Sequence, residues 1–274
     1  MAQIDVAAIA AELMAAKTGA STATRPSANY ENFEMSDAYE VGAELTRQLL
    51  AQGHQTNGRK VGFTNPVVWP RLNLDGPIWS YTYDNTVHYA PNNQTTLALA
   101  GMVAPKIEPE IVFKLRTDLS GAPNQAASKV LEAVEWMALG FEIVDCNYAN
   151  WHFRAADMVA DFGFHAALII GQTHPLSETN LEILAQQLQN LSLKLLKNGA
   201  VEAEGAGQNV LGSPALSLAG VAALVSRQNG GKGLSAGEVI TTGTLTDAMF
   251  VSAGERWQAQ PFGLDLPPLT ITFS

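Results

Sequence analysis

A chain of 274 residues with 47% hydrophobic and 15% charged side chains carries ample material for a core, which excludes an intrinsically disordered polymer. Lys and Arg number 16 against 26 Asp and Glu, and the resulting charge of −10 disfavours a nucleic acid or an anionic membrane as partner. Small solutes, other proteins or a cation that relieves repulsion between carboxylates fit better. The single cysteine, Cys146, excludes an intrachain disulfide and a cysteine-based zinc cluster, and points to a cytoplasmic setting.

Residues 1–17 contain Asp5 and Glu12 and no basic run followed by an apolar stretch, so no signal peptide is expected. No stretch of about 20 residues reads as apolar enough to cross a bilayer. Ile9 and Leu13, four apart, predict one side of a short surface helix. Residues 18–32, rich in Ser, Thr, Ala and Asn with Pro26, read as a surface wrap. Ser36 then caps a helix with Ala38, Val41, Leu45 and Leu49 on one face, and Gly53 closes it. Beyond Gly58, short apolar runs separated by Gly, Pro and Asn predict strands at 60–63, 78–83, 106–115, 141–144 and 166–170. A turn at 120–125 and a helix over 129–138, burying Val130, Val134 and Met137 and stopping at Gly140, are expected between them. Thr179 and Glu182 have capping-box spacing for the next helix. Leu191, Leu193 and Leu195 alternate, Asn198-Gly199 suits a tight reversal, and Val201 and Ala203 continue the return strand. Ser213-Pro214 opens an alanine-rich helix that Gly230-Gly231 closes, and strands follow at 238–242 and 269–273.

No repeat is visible, and helices do not alternate regularly with strands, which argues against a TIM barrel or a doubly wound sheet. The predicted class is α+β, with residues 1–57 as a helical segment packed on a β-rich core of residues 58–274.

Lys106-Ile107-Glu108-Pro109-Glu110-Ile111-Val112-Phe113 carries the most chemistry. In an extended chain Glu108 and Glu110 share one face while Ile107, Ile111 and Phe113 take the other. The pattern fits either an exposed acidic face or part of a metal site. Pro109 cannot donate a ladder hydrogen bond, which predicts an edge strand or a functional rim. In Phe141-Glu142-Ile143-Val144-Asp145 the carboxylate of Glu142 interrupts an apolar run, so it reaches solvent, meets a cation or is protonated. Three carboxylates with water and substrate oxygens fill the shell of Mg²⁺ or Mn²⁺, whereas zinc would call for a His or Cys cluster. Lys60, flanked by Val61 and Phe63, is either a surface lysine paired with an acid or a buried one whose pKa falls in preparation for proton transfer. Trp69, Trp79, Tyr81, Tyr83 and Trp151 read as core or subunit contacts, or as the wall of an apolar pocket. His54 and His174 sit in loop contexts, and His88 and His152 have no recognisable partner.

Five segments occur together in a fixed order: Gly58-Arg59-Lys60-Val61-Gly62-Phe63-Thr64, residues 106–113, Glu142-Ile143-Val144-Asp145, Val159-Ala160-Asp161 and Thr242-Gly243-Thr244-Leu245-Thr246. In this the chain resembles the fumarylacetoacetate hydrolase superfamily, and within it the branch of 2-hydroxypenta-2,4-dienoate (2-oxopent-4-enoate) hydratases and 4-oxalocrotonate decarboxylases of aromatic catabolism. The resemblance runs from about Ser36 to the carboxyl terminus. It implies a mixed β-sandwich roll with peripheral helices, a divalent metal (Mg²⁺ or Mn²⁺), a small-molecule 2-oxo acid as substrate and a homo-oligomer. By position it implies Glu108, Glu110 and Glu142 as metal ligands, Lys60 as the active-site lysine and Asp84, in Tyr83-Asp84-Asn85, as an acid near the substrate. Thr244, in its Gly-Thr-Leu-Thr setting, and Arg25 are candidates for contacting a substrate oxygen. The sequence departs from the branch at Phe164 and His165, where small polar residues are expected; His165 then either orients substrate and exchanges protons or is a buried histidine bonded to backbone. Hydration is the preferred reaction, followed by decarboxylation. A carbon–carbon hydrolase for acylpyruvates ranks lower, because such enzymes carry a His-Glu pair on a lid helix and no histidine precedes His54. A non-catalytic partner subunit ranks last, since Lys60 and the three glutamates are intact.

Overall fold

Period-two alternation in the 106–113 and 191–203 segments is realised as strands of two mixed sheets. The computed structural model describes residues 3–122, 124–177 and 180–274. Among these, a nine-stranded sheet runs in the order Ile78–Tyr83, Thr56–Gly62, Val239–Thr241, Pro105–Leu115, Val134–Asp145, His165–Ile170 and Val87–Tyr89, with two short strands, Met249–Phe250 and His174–Pro175, paired off this path. The five-stranded sheet runs Ala200–Ala206, Ser192–Lys197, Arg256–Phe262, Leu269–Phe273 and Gln94–Leu97. The Asn198-Gly199 reversal forms as expected, with both residues in the left-handed region at φ 50° and 88°. Helices cover the sheets, giving the expected α+β class.

Ile107, Ile111, Phe113, Phe141 and Ile143, from one face of the central strand pair, share a buried cluster with Leu193, Leu195, Trp257 and Ile271 of the smaller sheet and with Leu218, Val221 and Val225 of the helix Pro214–Gln228. A second cluster joins Ile9 and Leu13 of the helix Val6–Thr18 and Val41 and Leu45 of the helix Met35–Ala51 to Ile78, Tyr83, Val144 and Phe162. The Ile9 and Leu13 pair therefore faces inward as its spacing predicts.

Several expectations need correction. The helix expected over 129–138 is only Ala127–Leu131, and Val134–Asp145 is a twelve-residue strand. Both faces of that strand are buried, Met137 and Leu139 in the main cluster and Trp136 and Ala138 in a third, and a continuous apolar run has no period that separates helix from strand. Gly140 is consequently not a helix stop; it lies mid-strand, where a Cβ would come within 2.6 Å of Val112 Cγ2. The early helix begins at Met35 with Glu34 as its cap, not Ser36, and the Asp37 carboxylate accepts the Glu34 N–H at 2.8 Å. Thr179 of the expected capping box and Pro123 of the expected turn lie outside the described residues. One segment, Gly207–Gln228, is by length and composition apolar enough to cross a bilayer, contrary to the expectation; half of it is buried within the fold.

Pro109 stands in a central strand rather than at an edge. Val239–Thr241 pairs with residues 112–114 and Met249–Phe250 with Lys106 and Ile107, so position 109 falls in the gap between two partner strands. Its carbonyl points into that gap and accepts the Leu245 N–H at 2.9 Å. N–H and C=O of one residue point to the same side of a strand, so no ladder bond is lost by proline there.

Truncating Phe141, fully buried in the main cluster, to Ala is expected to cost about 3–5 kcal/mol, read as a lowered denaturant midpoint. Truncation of the exposed Phe250 is expected to stay within about 0.5 kcal/mol.

Candidate metal centre

The antiparallel register of Pro105–Leu115 with Val134–Asp145 sets Glu108 opposite Glu142 and Glu110 opposite Gly140. Directly opposed residues share a face, so the three carboxylates converge, and one oxygen from each lies within 4.8 Å of the others. Glu110 and Glu142 are fully buried and Glu108 is half-buried. Glu110 Oε2 accepts the Gly243 N–H at 2.7 Å. Gly243 has φ +92°, and a Cβ there would overlap Thr64 Oγ1 at 1.9 Å, so only glycine brings this amide to the carboxylate. Glu142 Oε1 lies 2.9 Å from His165 Nδ1, and Glu142 Oε2 lies 3.4 Å from Lys60 Nζ.

Burial, together with the charge of Glu142, pushes Glu108 up to about 7 against the pull of Lys60 and Lys106. Burial pushes Glu110 further above the usual carboxylate range, reinforced by Glu142 and Glu108. Burial acts upward on Glu142 too, but the Lys60 ammonium and the His165 hydrogen bond outweigh it and hold this carboxyl below its usual value. Lys60 corrects the sequence expectation. It is buried, and burial does act downward, yet Glu142, Glu108 and Glu110 around it more than compensate, so its pKa is raised. His165 is lowered by burial despite its bond to Glu142.

Glu110 Oε1 and Glu142 Oε2 are buried without a hydrogen-bond partner. Two bare oxygens in an all-oxygen donor set, among carboxylates that repel one another, fit a hard divalent cation.

Lys60, Glu108 and Thr244 line a cavity of about 270 Å³ together with Asn65, Met158, Asn209 and Asp247. The Thr244 hydroxyl donates to the Thr246 carbonyl at 2.9 Å. His165 reaches the cluster from behind Glu142 rather than from the cavity. Asp84 is not brought to the cluster. It occupies the exposed turn after Ile78–Tyr83, its carboxylate 3.4 Å from His54 Nδ1, because Asp-Asn here does turn chemistry. Arg25 is not among the cavity-lining residues. Trp79 and Tyr81 flank the Arg59 guanidinium at 4.8 and 4.9 Å, and Arg59 is paired with Glu238, so these rings buttress a partly buried ion pair. Two contributors escape sequence reasoning: the Gly243 amide, hidden in a motif whose visible side chain is Thr244, and Thr86, which contacts His165 Nε2 at 2.9 Å.

A convergent carboxylate triad that fits a cation, on the central strands of a mixed sheet, marks the class of protein, and comparison with known proteins defines the family. Residues 64–264 match the model of the fumarylacetoacetate (FAA) hydrolase C-terminal domain, and the chain belongs to that family. It is 32% identical over 229 residues to a 2-hydroxyhexa-2,4-dienoate hydratase of Comamonas testosteroni, covering 84% of this chain and 83% of that one. A 4-oxalocrotonate decarboxylase of a Pseudomonas species is 30% identical over 236 residues, covering 86% and 85%. The solved structure of 4-oxalocrotonate decarboxylase from Pseudomonas putida, complexed with magnesium and adipate, matches with a TM-score of 0.88 at 25% identity across 100% of both chains.

Glu108 and Glu110 have raised values in the folded protein. Their contribution to stability is therefore full below the unfolded carboxyl value of 4.5 and is lost as pH rises through about 7 for Glu108. Glu142, lowered, acts in the opposite sense only below that window. In chelator, the thermal midpoint is expected to fall between about pH 5 and pH 8, with added Mg²⁺ or Mn²⁺ stabilising more at the higher pH, where no proton competes for the carboxylates. A metal response equal at both ends of the range would contradict the assignment.

Proposed function

We propose that this chain is a divalent-metal-dependent lyase acting on an unsaturated 2-oxo or 2-hydroxy acid, hydrating a 2-hydroxy-2,4-dienoate, with Mg²⁺ or Mn²⁺ at Glu108, Glu110 and Glu142. The observation that carries it is the convergence of these carboxylates beside a buried lysine at the floor of a small-molecule-sized cavity. A cation held by Glu108, Glu110 and Glu142 would supply Lewis-acid charge to a bound oxoacid. The chain's own part falls to Lys60 and the cavity walls. Lys60, kept as an ammonium by its three acidic neighbours, stabilises negative charge at the 2-oxygen while the dienol O–H gives up its proton to solvent and the terminal carbon takes one from solvent, the net change to the unsaturated ketone being one proton moved from oxygen to carbon. Water then adds at the carbon conjugated to the ketone, and the apolar contacts of Phe63, Val68 and Met158 hold the carbon chain in place. Asp84, on its exposed turn, takes no part.

The charge lining supports hydration over decarboxylation. A 4-oxalocrotonate-type substrate brings a second carboxylate to the far end of the cavity, yet among the described lining residues Lys60 is the one cation, and it faces Glu142. The wall carries Glu204 and Asp247 instead. Lys106, on the carboxylate face of its strand, is held 3.9 Å from the Trp151 ring and 4.4 Å from the Phe250 ring, and Lys194 sits 3.8 Å from Glu204. Decarboxylation is the second reading, favoured by the likeness to the solved decarboxylase along the whole chain. Assembly of several copies belongs to the same reading; exposed Val67, Tyr89 and Phe262 supply apolar surface for it, and light scattering reports it. The buried, unpaired thiol of Cys146 agrees with a cytoplasmic, reducing compartment.

The metal-loaded protein is to be supplied in parallel with 2-hydroxypenta-2,4-dienoate, 4-oxalocrotonate and an acylpyruvate. Loss of dienol absorbance with water uptake is expected for the first; carbon dioxide release from the second, carbon–carbon cleavage of the third, or silence with all three would overturn hydration. Lys60→Met is expected to lower kcat by about 10²–10⁴-fold while metal binding is retained.

A further inference from the structure

We propose that Thr86 and His165 form a hydrogen-bonded support that fixes the orientation of Glu142, with the carboxylate calling for the Nδ1–H tautomer of His165 and the Thr86 hydroxyl holding that ring in place so that Glu142 stays ready for a metal. The inference rests on the metal-lyase reading above and assigns these residues a positioning role.

Glu142 is fully buried and its two oxygens face different surroundings. Oε1 meets His165 Nδ1 at 2.9 Å, whereas Oε2, bare of hydrogen bonds, belongs to the cluster with Lys60 Nζ 3.4 Å away. A carboxylate only accepts, so Nδ1 must carry the proton in this pair. In the neutral ring Nε2 is then a lone pair that needs a donor, and Thr86 Oγ1 stands 2.9 Å from it. The hydroxyl is itself anchored, since Oγ1 accepts the Tyr83 N–H at 3.2 Å in the turn before Val87–Tyr89; the Tyr83 carbonyl, 3.1 Å away, is a second acceptor for its one proton, and the contact to Nε2 is the shorter of the two. From the other side, Lys17 Nζ donates to the His165 carbonyl at 2.6 Å and holds the backbone of the same residue.

Packing alone does not hold the ring. A cavity of about 160 Å³ lies against it, lined by His165, Thr86, Lys17, Tyr83 and Phe162 among others, and leaves room for an unsupported imidazole to turn. Without the hydroxyl, Nε2 loses its partner and the ring is held by the Glu142 bond alone, so it can turn and let Oε1 shift from its place. A hydrogen-bond chain behind a metal ligand is the arrangement that typically sets ligand orientation and metal affinity. Here it accounts for an imidazole at a position where small polar residues were expected.

The test titrates Mn²⁺ calorimetrically into the full chain and its variants, with ¹⁵N NMR of the histidine ring as a readout that bulk stability does not move. Thr86→Val is expected to weaken Mn²⁺ binding by about 10-fold or more, Thr86→Ser to restore it, and wild-type His165 to show a protonated Nδ1 with a bare Nε2. Wild-type affinity in a folded Thr86→Val protein, or a protonated Nε2 beside a bare Nδ1 in the wild type, would overturn the proposal. If Thr86→Val does not fold, Thr86→Ser and the wild-type ring signals decide. Tight metal binding without turnover on any of the three substrates would sink the lyase reading and leave this inference standing. Unchanged affinity in Thr86→Val with normal turnover in the wild type would do the reverse.

Discussion

Three carboxyl groups forced together inside a protein repel one another, and the arrangement around them answers to that constraint. The strand register that aligns Glu108 with Glu142 leaves their separation no freedom, because shifting it by one residue would turn every side chain to the other face. One lysine, one backbone amide and one imidazole satisfy part of the charge, and two oxygens are left bare. Such a site costs folding free energy and is tolerated because the opposite face of the same two strands carries Ile107, Ile111, Phe141 and Ile143 into the main apolar cluster. Chemistry on one face and cohesion on the other come from a single alternation along the strand.

That alternation is why so much of the centre was legible. Glu-x-Glu within an apolar run states its own geometry once the segment is a strand, and Lys60 beside Val61 and Phe63 left burial open beside a surface ion pair. Burial, however, was only half of the lysine's environment. The acids facing it come from two other strands, and their sum reverses the direction that its flanking residues suggested. Asp84 failed for a related reason: a Tyr-Asp-Asn triplet reads the same in a turn that points to solvent and in one that points to a site. Thr86 carried no local signal, since its partner is 79 residues away. The misread helix over 129–138 marks the limit of periodicity, because a strand buried on both faces has no polar side to count from.

The cations of this acidic chain are already engaged around the centre. Arg59 is stacked and paired, Lys106 lies between two rings, Lys17 holds a backbone carbonyl and Lys60 faces the glutamates. None of these four is left free, and the cavity offers amides, hydroxyls, carboxylates and apolar walls besides Lys60.

Pro109 carries a final implication for how such an enzyme diversifies. Because the central strand has no partner strand on one side at that point, the chain from Gly243 to Ala248 forms the cavity wall where a strand would otherwise run. Replacement or lengthening of its outer part, Thr246 to Ala248, disturbs no ladder and leaves the Gly243 amide on Glu110. Evolution can retailor the substrate chamber through this window while the carboxylates stay fastened to an unaltered frame.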